Sequence, residues 1–346
     1  MQQIPRGYEH QARLVAFTLM SGPELSSNIA WLAPIDRASE LRSDTGKLAE
    51  LWADAQILQL LDSRLSATDE ALTFIDAAAV TGLQQSFMEG ERYFLGIARA
   101  DKQPYFAWRT TWIDQPEDDG VADFETQKYE GFKTLREVGA NFDAQDLTLA
   151  MHAVGLANWH ATHPCCSRCG AKTVSDLGGS VRVCVEDATQ HHPRTDPAVI
   201  VLVKDAQDRI LLGHQPIWPE KRFSAFAGFV EPGESFEECV SREVFEEAGV
   251  YTADINYLTS QPWPFPASIM IAFEAITDRP EDARPDGEEI TEVRWFSRNE
   301  IKQAVATGEL LLPPSISVAR RMIENWYVGV AGYLREELHG GESWRP

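Results

Sequence analysis

Between Glu231 and Val250 seven glutamates stand against a single arginine, Arg242. Ser235 with Glu238 three residues later forms a capping box, and Gly249 supplies a stop, so the spacing predicts a helix from about Phe236 to Ala248. On that helix Glu243, Glu246 and Glu247 are related by i, i+3 and i+4, and their carboxylates project from one face. Like charges at this spacing oppose a helix by roughly a few tenths of a kcal/mol per pair. Hard divalent cations, which take oxygen ligands, are the natural offset. For a Glu-rich helix taken alone, a solvated acidic face is the plainer alternative.

A second constellation lies upstream. Cys166-Ser-Arg-Cys169-Gly170 is a CxxC knuckle, two thiolates on a tight turn with glycine giving the backbone room to fold around one ion. Cys184 follows at the spacing of a zinc ribbon, and the returning knuckle reads Cys184-Val-Glu-Asp187. Cys166, Cys169, Cys184 and Asp187 thus make a candidate S₃O structural zinc site, with Cys165 and His163 as rival fourth ligands and buried, metal-free cysteines as the alternative. A carboxylate in place of a thiolate weakens such a site, since softer ligands suit zinc better.

Three regions must position these groups. Residues 1–150 mix β-rich stretches (Leu14 to Leu19, Tyr93 to Ile97, Tyr105 to Thr111) with a helical one, Gly46 to Leu61, and an acidic loop from Asp114 to Glu130. A helix from Ala144 to Trp159 leads into the cysteine cluster. From Arg194 the texture changes to strands (Ala198 to Val203, Arg209 to Gly213), the glutamate helix, more strands, and a closing helix at Ile316 to Trp326. The domain division read from this is 1–150, 160–192 and 194–335. With 44% hydrophobic and 24% charged residues, the 346-residue chain has the composition to bury substantial cores. Its net charge of −22 excludes a basic, groove-gripping DNA-binding protein and allows a polyanionic substrate only where carboxylates hold cations. No apolar run approaches the ~18 residues that cross a bilayer. No signal core follows the start and the cysteines cluster for metal, so a cytoplasmic protein is expected.

The string from Gly228 to Val250 matches Gx₅Ex₇REUxEExGU at every specified position, U being a bulky aliphatic. On it the chain resembles the Nudix hydrolase superfamily. Ten residues beyond, Ser260-Gln-Pro-Trp-Pro-Phe-Pro-Ala-Ser268 matches SQPWPFPxS, the mark of the NADH pyrophosphatase (NudC-type) branch. The likeness extends over roughly 155–326 through Trp159-His160, the CxxCG knuckle, His192-Pro193-Arg-x-Asp-Pro197, Leu312-Pro-Pro314 and Ser317-Val-Ala-Arg320. It implies an α+β architecture: a Nudix α/β/α sandwich with a mixed sheet, preceded by a zinc ribbon and a divergent N-terminal α/β domain.

It also implies an enzyme that cleaves the diphosphate of NADH or NAD⁺ to AMP and nicotinamide mononucleotide, and that removes NAD caps from RNA 5′ ends. Mg²⁺ or Mn²⁺ would be held by Glu243, Glu246, Glu247, Glu289 and the carbonyl of Ala227, with Arg242 and Glu234 in support. Dinucleotide contacts would come from Phe229, Gln261, Pro262, Trp263, Pro264, Phe265, Pro266, Ala267, Ser268, His192 and Ala319. His192 stands where many relatives carry a stacking tyrosine, and Asp187 where a fourth cysteine is common. A homodimer follows from the family alone, with no DNA or membrane partner. From the residues, three prolines at alternate positions make Ser260 to Ser268 a poor central strand and a good rigid loop, and Trp263 and Phe265 lean toward core packing. Other readings are hydrolysis of ADP-ribose or a dinucleoside polyphosphate, a non-catalytic dinucleotide sensor, and a zinc-ribbon nucleic-acid adaptor. No GxGxxG follows a predicted strand, so hydride transfer on a Rossmann domain is not supported.

Overall fold

Along the strand Asp196–Lys204, Val199, Val201 and Val203 point to one core and Ile200 and Leu202 to another, as the two-residue pleat requires. This strand therefore needs cover on both faces. In the computed structural model, which describes residues 33–83, 87, 88, 90–112 and 129–339, the helix Phe236–Ala248 covers one face with Cys239, Val240, Val244 and Ala248. Helices Arg298–Thr307 and Val318–Val328 cover the other with Ile301, Ala304, Met322 and Ile323. The sheet between them runs Ala253–Trp263, Ser268–Ile276, Asp196–Lys204, Ile210–His214, Glu292–Phe296, and Phe226–Phe229 pairs with the first half of Asp196–Lys204. Ser268–Ile276 is parallel to Asp196–Lys204 and the other pairs are antiparallel. The result is the mixed-sheet α/β/α sandwich expected from the sequence.

The proline segment departs from the expected loop. Gln261, Pro262 and Trp263 are in strand, paired with Met270, Ile269 and Ser268, and the turn is confined to the residues between, with a cis Phe265–Pro266 peptide. Ala253–Trp263 is the last strand of its sheet, and an edge strand accommodates a proline because one row of backbone groups has no partner to lose. What holds the turn is outside it. Asn158 Nδ2 donates to the carbonyls of Pro264 (2.9 Å) and Pro266 (3.3 Å), and Phe265 packs against the N-terminal core.

That core lies between an eight-stranded sheet, built from strands between Ile35 and Lys133, and the helix Ala144–Thr162, which buries Leu149, Ala150, Ala153, Val154, Leu156 and Ala157 against it. The expected helix Gly46 to Leu61 is half right. A helix spans Thr45–Ala53, but Gln56–Leu61 is a strand parallel to Pro104–Trp112, with Ile57, Leu58, Leu60 and Leu61 fully buried. A short, nearly continuous apolar run carries no period that separates a buried strand from a buried helix. Leu14 to Leu19 and residues 114–128 of the acidic loop lie outside the described residues.

Between the two units, Thr173–Asp176, Val181–Cys184 and Gln190–His191 form a three-stranded antiparallel sheet. Among the described residues no helix is long and apolar enough to cross a membrane.

Candidate active site

The glutamate helix starts as its sequence dictates. Ser235 N donates to Glu238 Oε2 (2.7 Å), Glu238 N donates back to Ser235 Oγ (3.2 Å), and Gly249 ends the helix at φ 70°. Arg242 is the hub of the charged face. Its guanidinium donates to both Glu234 oxygens (2.8 and 2.9 Å), to Glu243 (2.8 Å), to Glu246 (3.1 Å) and to the Phe229 carbonyl (3.0 Å). The arginine holds the Glu234 carboxyl down at about 2, well below the usual range. Glu234 therefore anchors Arg242, and Arg242 in turn fixes Glu243 and Glu246.

The three glutamates of the helix face sit in different surroundings. Glu246 is exposed, Glu243 is mostly covered, and Glu247 is buried at 4% exposure. Burial, then the nearby charges of Glu289 and Glu243, pushes the Glu247 carboxyl up to about 8, while a hydrogen bond from the Ala227 backbone works the other way. Burial likewise raises Glu243. Glu247 Oε2 has no hydrogen-bond partner among the described residues. A buried carboxylate oxygen without a donor, crowded by two other carboxylates, is a group built for a cation. Gln215 Nε2 donates to Glu289 Oε1 (3.1 Å) and steadies that fourth carboxylate beside the cluster.

Glu243 also closes against the neighbouring strand. A Cβ placed on Gly228 would lie 1.8 Å from Glu243 Cδ, so this position admits no side chain while Glu243 stays in place. Gly228→Ala is expected to displace the Glu243 carboxylate and lower turnover by about 10- to 100-fold, the equivalent of ~1.4 to 2.7 kcal/mol in the barrier. Thermal unfolding and steady-state rates on the same preparation check this; full activity with an intact fold would show that Glu243 need not stay where it is.

Glu247, Ala227, Gln261, Trp263 and Ala319 line one cavity of roughly 150 Å³, which runs from the glutamate helix to the proline hairpin and the start of the helix Val318–Val328. Gln261 is buried with both ends of its amide engaged: Nε2 donates to the Ile316 carbonyl and Oε1 accepts from Val318 N, each at 2.7 Å. It pins the hairpin to the segment carrying Ala319. Trp263 and Phe265 meet edge to face at 4.9 Å, with Arg136 over the Phe265 ring at 4.2 Å. Both rings are half-buried, and Phe265 leans on the N-terminal core as expected. Phe229 presents a ring 58% exposed. Ser268 is buried, and Pro262 and Pro266 are exposed on the hairpin. His192 is exposed and does not line the cavity. Sequence reading did not single out Gln215, Trp218 and Ile290, which also line the cavity. Gln215 and Trp218 share the loop after Ile210–His214, where Trp218 N donates to the Gln215 carbonyl (3.0 Å), Ile290 comes from another loop, and none carries a local pattern.

In the small sheet, one ligand atom each of Cys166, Cys169, Cys184 and Asp187 lie within 4.8 Å of one another, and Cys169 Sγ and Cys184 Sγ are 3.5 Å apart. The two knuckles share one backbone design. Gly170 N donates to the Cys166 carbonyl and Ala188 N to the Cys184 carbonyl, and both Gly170 (φ 78°) and Ala188 (φ 58°) are left-handed. Asp187 thus occupies in the second knuckle the place Cys169 holds in the first. The Thr189 backbone N–H holds its carboxyl down at about 2, so it is an anion at neutral pH. The donor set, three sulfurs and one carboxylate, fits zinc. Of the rivals, Cys165 is exposed outside this group, and His163 Nδ1 is bonded to the Trp159 carbonyl (3.0 Å).

A family model for the NUDIX domain matches residues 194–313. The chain is 38% identical over 320 residues to the NAD-capped RNA hydrolase NudC of Mycobacterium tuberculosis (strain H37Rv), covering 90% of this chain and 97% of that one. It is 35% identical over 218 residues to the mitochondrial NAD(P)H pyrophosphatase NUDT13 of Homo sapiens, covering 59% and 61%. Among solved structures, a NUDIX hydrolase from Nitrosomonas europaea matches 39% of this chain and 78% of its own with 24% identity and a TM-score of 0.33.

Proposed function

The chain belongs to the Nudix hydrolases, in the NudC-type NADH pyrophosphatase branch, and on that premise we propose that it hydrolyses the diphosphate of NADH and NAD⁺ and removes NAD caps from RNA. The observation that carries the reading is the buried, donorless Glu247 oxygen in a cavity whose far wall is the proline hairpin.

Nudix hydrolases use divalent metal ions. In this chain Glu243, Glu246, Glu247, Glu289 and the Ala227 carbonyl would hold Mg²⁺ or Mn²⁺, which when bound neutralises the diphosphate and lowers the pKa of an attacking water. Water adds its oxygen to one phosphorus, the bridging P–O bond breaks, and AMP and the nicotinamide mononucleotide leave with one proton released to solvent. Arg242 keeps the glutamates in register, held in turn by Glu234. Phe229 offers an open ring for stacking a base. Gln261 acts on substrate by fixing the hairpin and the Ala319 backbone relative to each other; Trp263 joins it on the cavity wall, and Pro262, Pro264, Phe265, Pro266, Ala267 and Ser268 complete the hairpin that carries them. The exposed His192, off the cavity of its own chain, suits a homodimer in which its ring stacks on substrate in the partner's site. Cys166, Cys169, Cys184 and Asp187 hold one structural zinc. The domains are read as 1–150, 160–192 and 194–335.

A substrate panel tests the specificity. Under matched Mg²⁺, NADH is expected to turn over with the higher kcat/KM and to give AMP and reduced nicotinamide mononucleotide on liquid chromatography. Faster turnover of ADP-ribose would assign the site to another diphosphate.

A further inference from the structure

A second, larger groove of roughly 460 Å³ adjoins the cavity, and Gln261 and Trp263 line both. One wall is the helix Ala144–Thr162 and the other is the hairpin, and its surface is mostly apolar. Three segments far apart in sequence each bring an arginine to it, Arg37, Arg194 and Arg321. Among the described residues no aspartate or glutamate lines it, in a chain whose net charge is −22.

We propose that this groove receives the first nucleotides of a single-stranded RNA whose 5′ cap is seated in the catalytic cavity, with the three arginines on its phosphates and the apolar wall against its bases. The proposal rests on NAD-capped RNA being a substrate. Single strands are held by a basic track that follows the backbone and by flat side chains on which bases stack without sequence preference. Trp263 supplies such a face next to the arginines, with the exposed Pro262 beside it on the apolar wall.

Two of the three arginines carry a charge that burial disfavours. Desolvation lowers the pKa of Arg321, and desolvation followed by the charge of Arg42 lowers that of Arg37 to about 10. Arg194 is held by Asp196 through two hydrogen bonds (3.0 and 2.8 Å), so its charge is already balanced and it offers a ligand only its remaining N–H groups. His152 Nδ1, also on the groove, is buried without a hydrogen-bond partner among the described residues. A phosphodiester satisfies such groups. Elsewhere the acidic surface repels a polyanion, so the groove is where a strand leaving the cavity meets attraction.

The test compares two substrates in the full-length protein, NADH and a short NAD-capped oligoribonucleotide, for wild type, the three single Arg→Ala variants and the triple variant. The triple variant is expected to lose about tenfold or more in kcat/KM on the capped RNA, with a salt dependence shallower by roughly two units of slope, about 0.7 per phosphate contact on a single strand. NADH kinetics should stay within about twofold, since charges outside the cavity act only on what extends beyond the dinucleotide. Equal losses on both substrates, or none on RNA, overturn the groove assignment while leaving cap removal intact. If wild type cleaves NADH but not capped RNA, the substrate reading fails and takes the proposal with it. A triple variant that dissociates in sedimentation while its RNA turnover is unchanged gives the groove to a second copy of the chain. Should the triple variant unfold, the single variants decide by the same ratio.

Discussion

Replacing Glu247 by glutamine should abolish most turnover and at the same time make the metal-free protein more stable at alkaline pH. The two effects have one cause. Glu247 is buried beside Glu243 and Glu289, and its carboxyl is pushed up to about 8 from an ordinary 4.5. The folded protein keeps a proton there that the unfolded chain has already lost, so stability is highest below about 4.5 and declines as pH climbs toward about 8. The loss is on the order of a few kcal/mol. A bound divalent cation removes that cost, and glutamine never incurs it. Melting curves in EDTA should therefore fall with pH for wild type but stay level for Glu247→Gln. Mg²⁺ should stabilise wild type more at pH 8 than at pH 6, and the variant little at either. In kcat the expected loss is about 10²- to 10⁴-fold, as for removal of several kcal/mol of charge stabilisation at the reacting phosphate. Glu246→Gln separates the two effects. Its carboxylate is exposed and tied to Arg242, so turnover should fall without the gain in stability. Undiminished rates for Glu247→Gln would falsify the metal role given to this residue.

How much of this was legible in the sequence follows from which interactions are local. The glutamate helix was readable to the residue because its caps, Ser235–Glu238 and Gly249, and its three-carboxylate face are all set within one short segment. The sandwich was expected from the resemblance carried by the glutamate string, and its physical reason is visible only in the fold, where Val199 to Val203 alternate between two cores and a strand buried on both faces needs helices on each. What separates Glu246 from Glu247 was not readable. One is exposed and the other buried because of strands and a loop that arrive from Phe226 and Glu289, far along the chain. Gln56–Leu61 misled for the opposite reason, its pattern being local but without a period. The proline hairpin shows a third case. Its prolines predicted stiffness, yet its placement depends on distant partners: the Asn158 amide, more than 100 residues away, and the Ile316 and Val318 backbone that Gln261 engages. The groove arginines belong to the same class, three single residues that acquire meaning only when the units are packed together.

Cys184→Ser should cost the protein its zinc and a large part of its stability, and the effect should reach the catalytic cavity. The sheet that carries the knuckles has strands of four, four and two residues, too little to stand by its own core. A structural zinc supplies roughly 10 to 16 kcal/mol in such units, less here because a carboxylate replaces one thiolate. The same small sheet positions Arg182, whose guanidinium donates to Glu91 (2.7 Å) in the N-terminal unit and to Thr173 within the ribbon, and contacts His160 Nδ1 at 2.6 Å on the connecting helix. His160 lies two residues from Asn158, which holds the hairpin turn. When the ribbon loosens, Arg182 withdraws from the half-covered Glu91 and from the buried His160, and these groups lose their strongest hydrogen-bond donor. The helix end should then shift and release the hairpin. The expected order is loss of zinc by elemental analysis, a lower melting temperature, and a rise in KM for NADH ahead of any fall in kcat. Asp187→Cys should run the other way, with tighter zinc retention against a chelator and a higher melting temperature, because the second knuckle already has the backbone of the first. Protein prepared without chelator that contains no zinc, and whose unfolding is indifferent to EDTA, would leave the four side chains as a metal-free cluster and cut the link from Arg182 to the hairpin at its source.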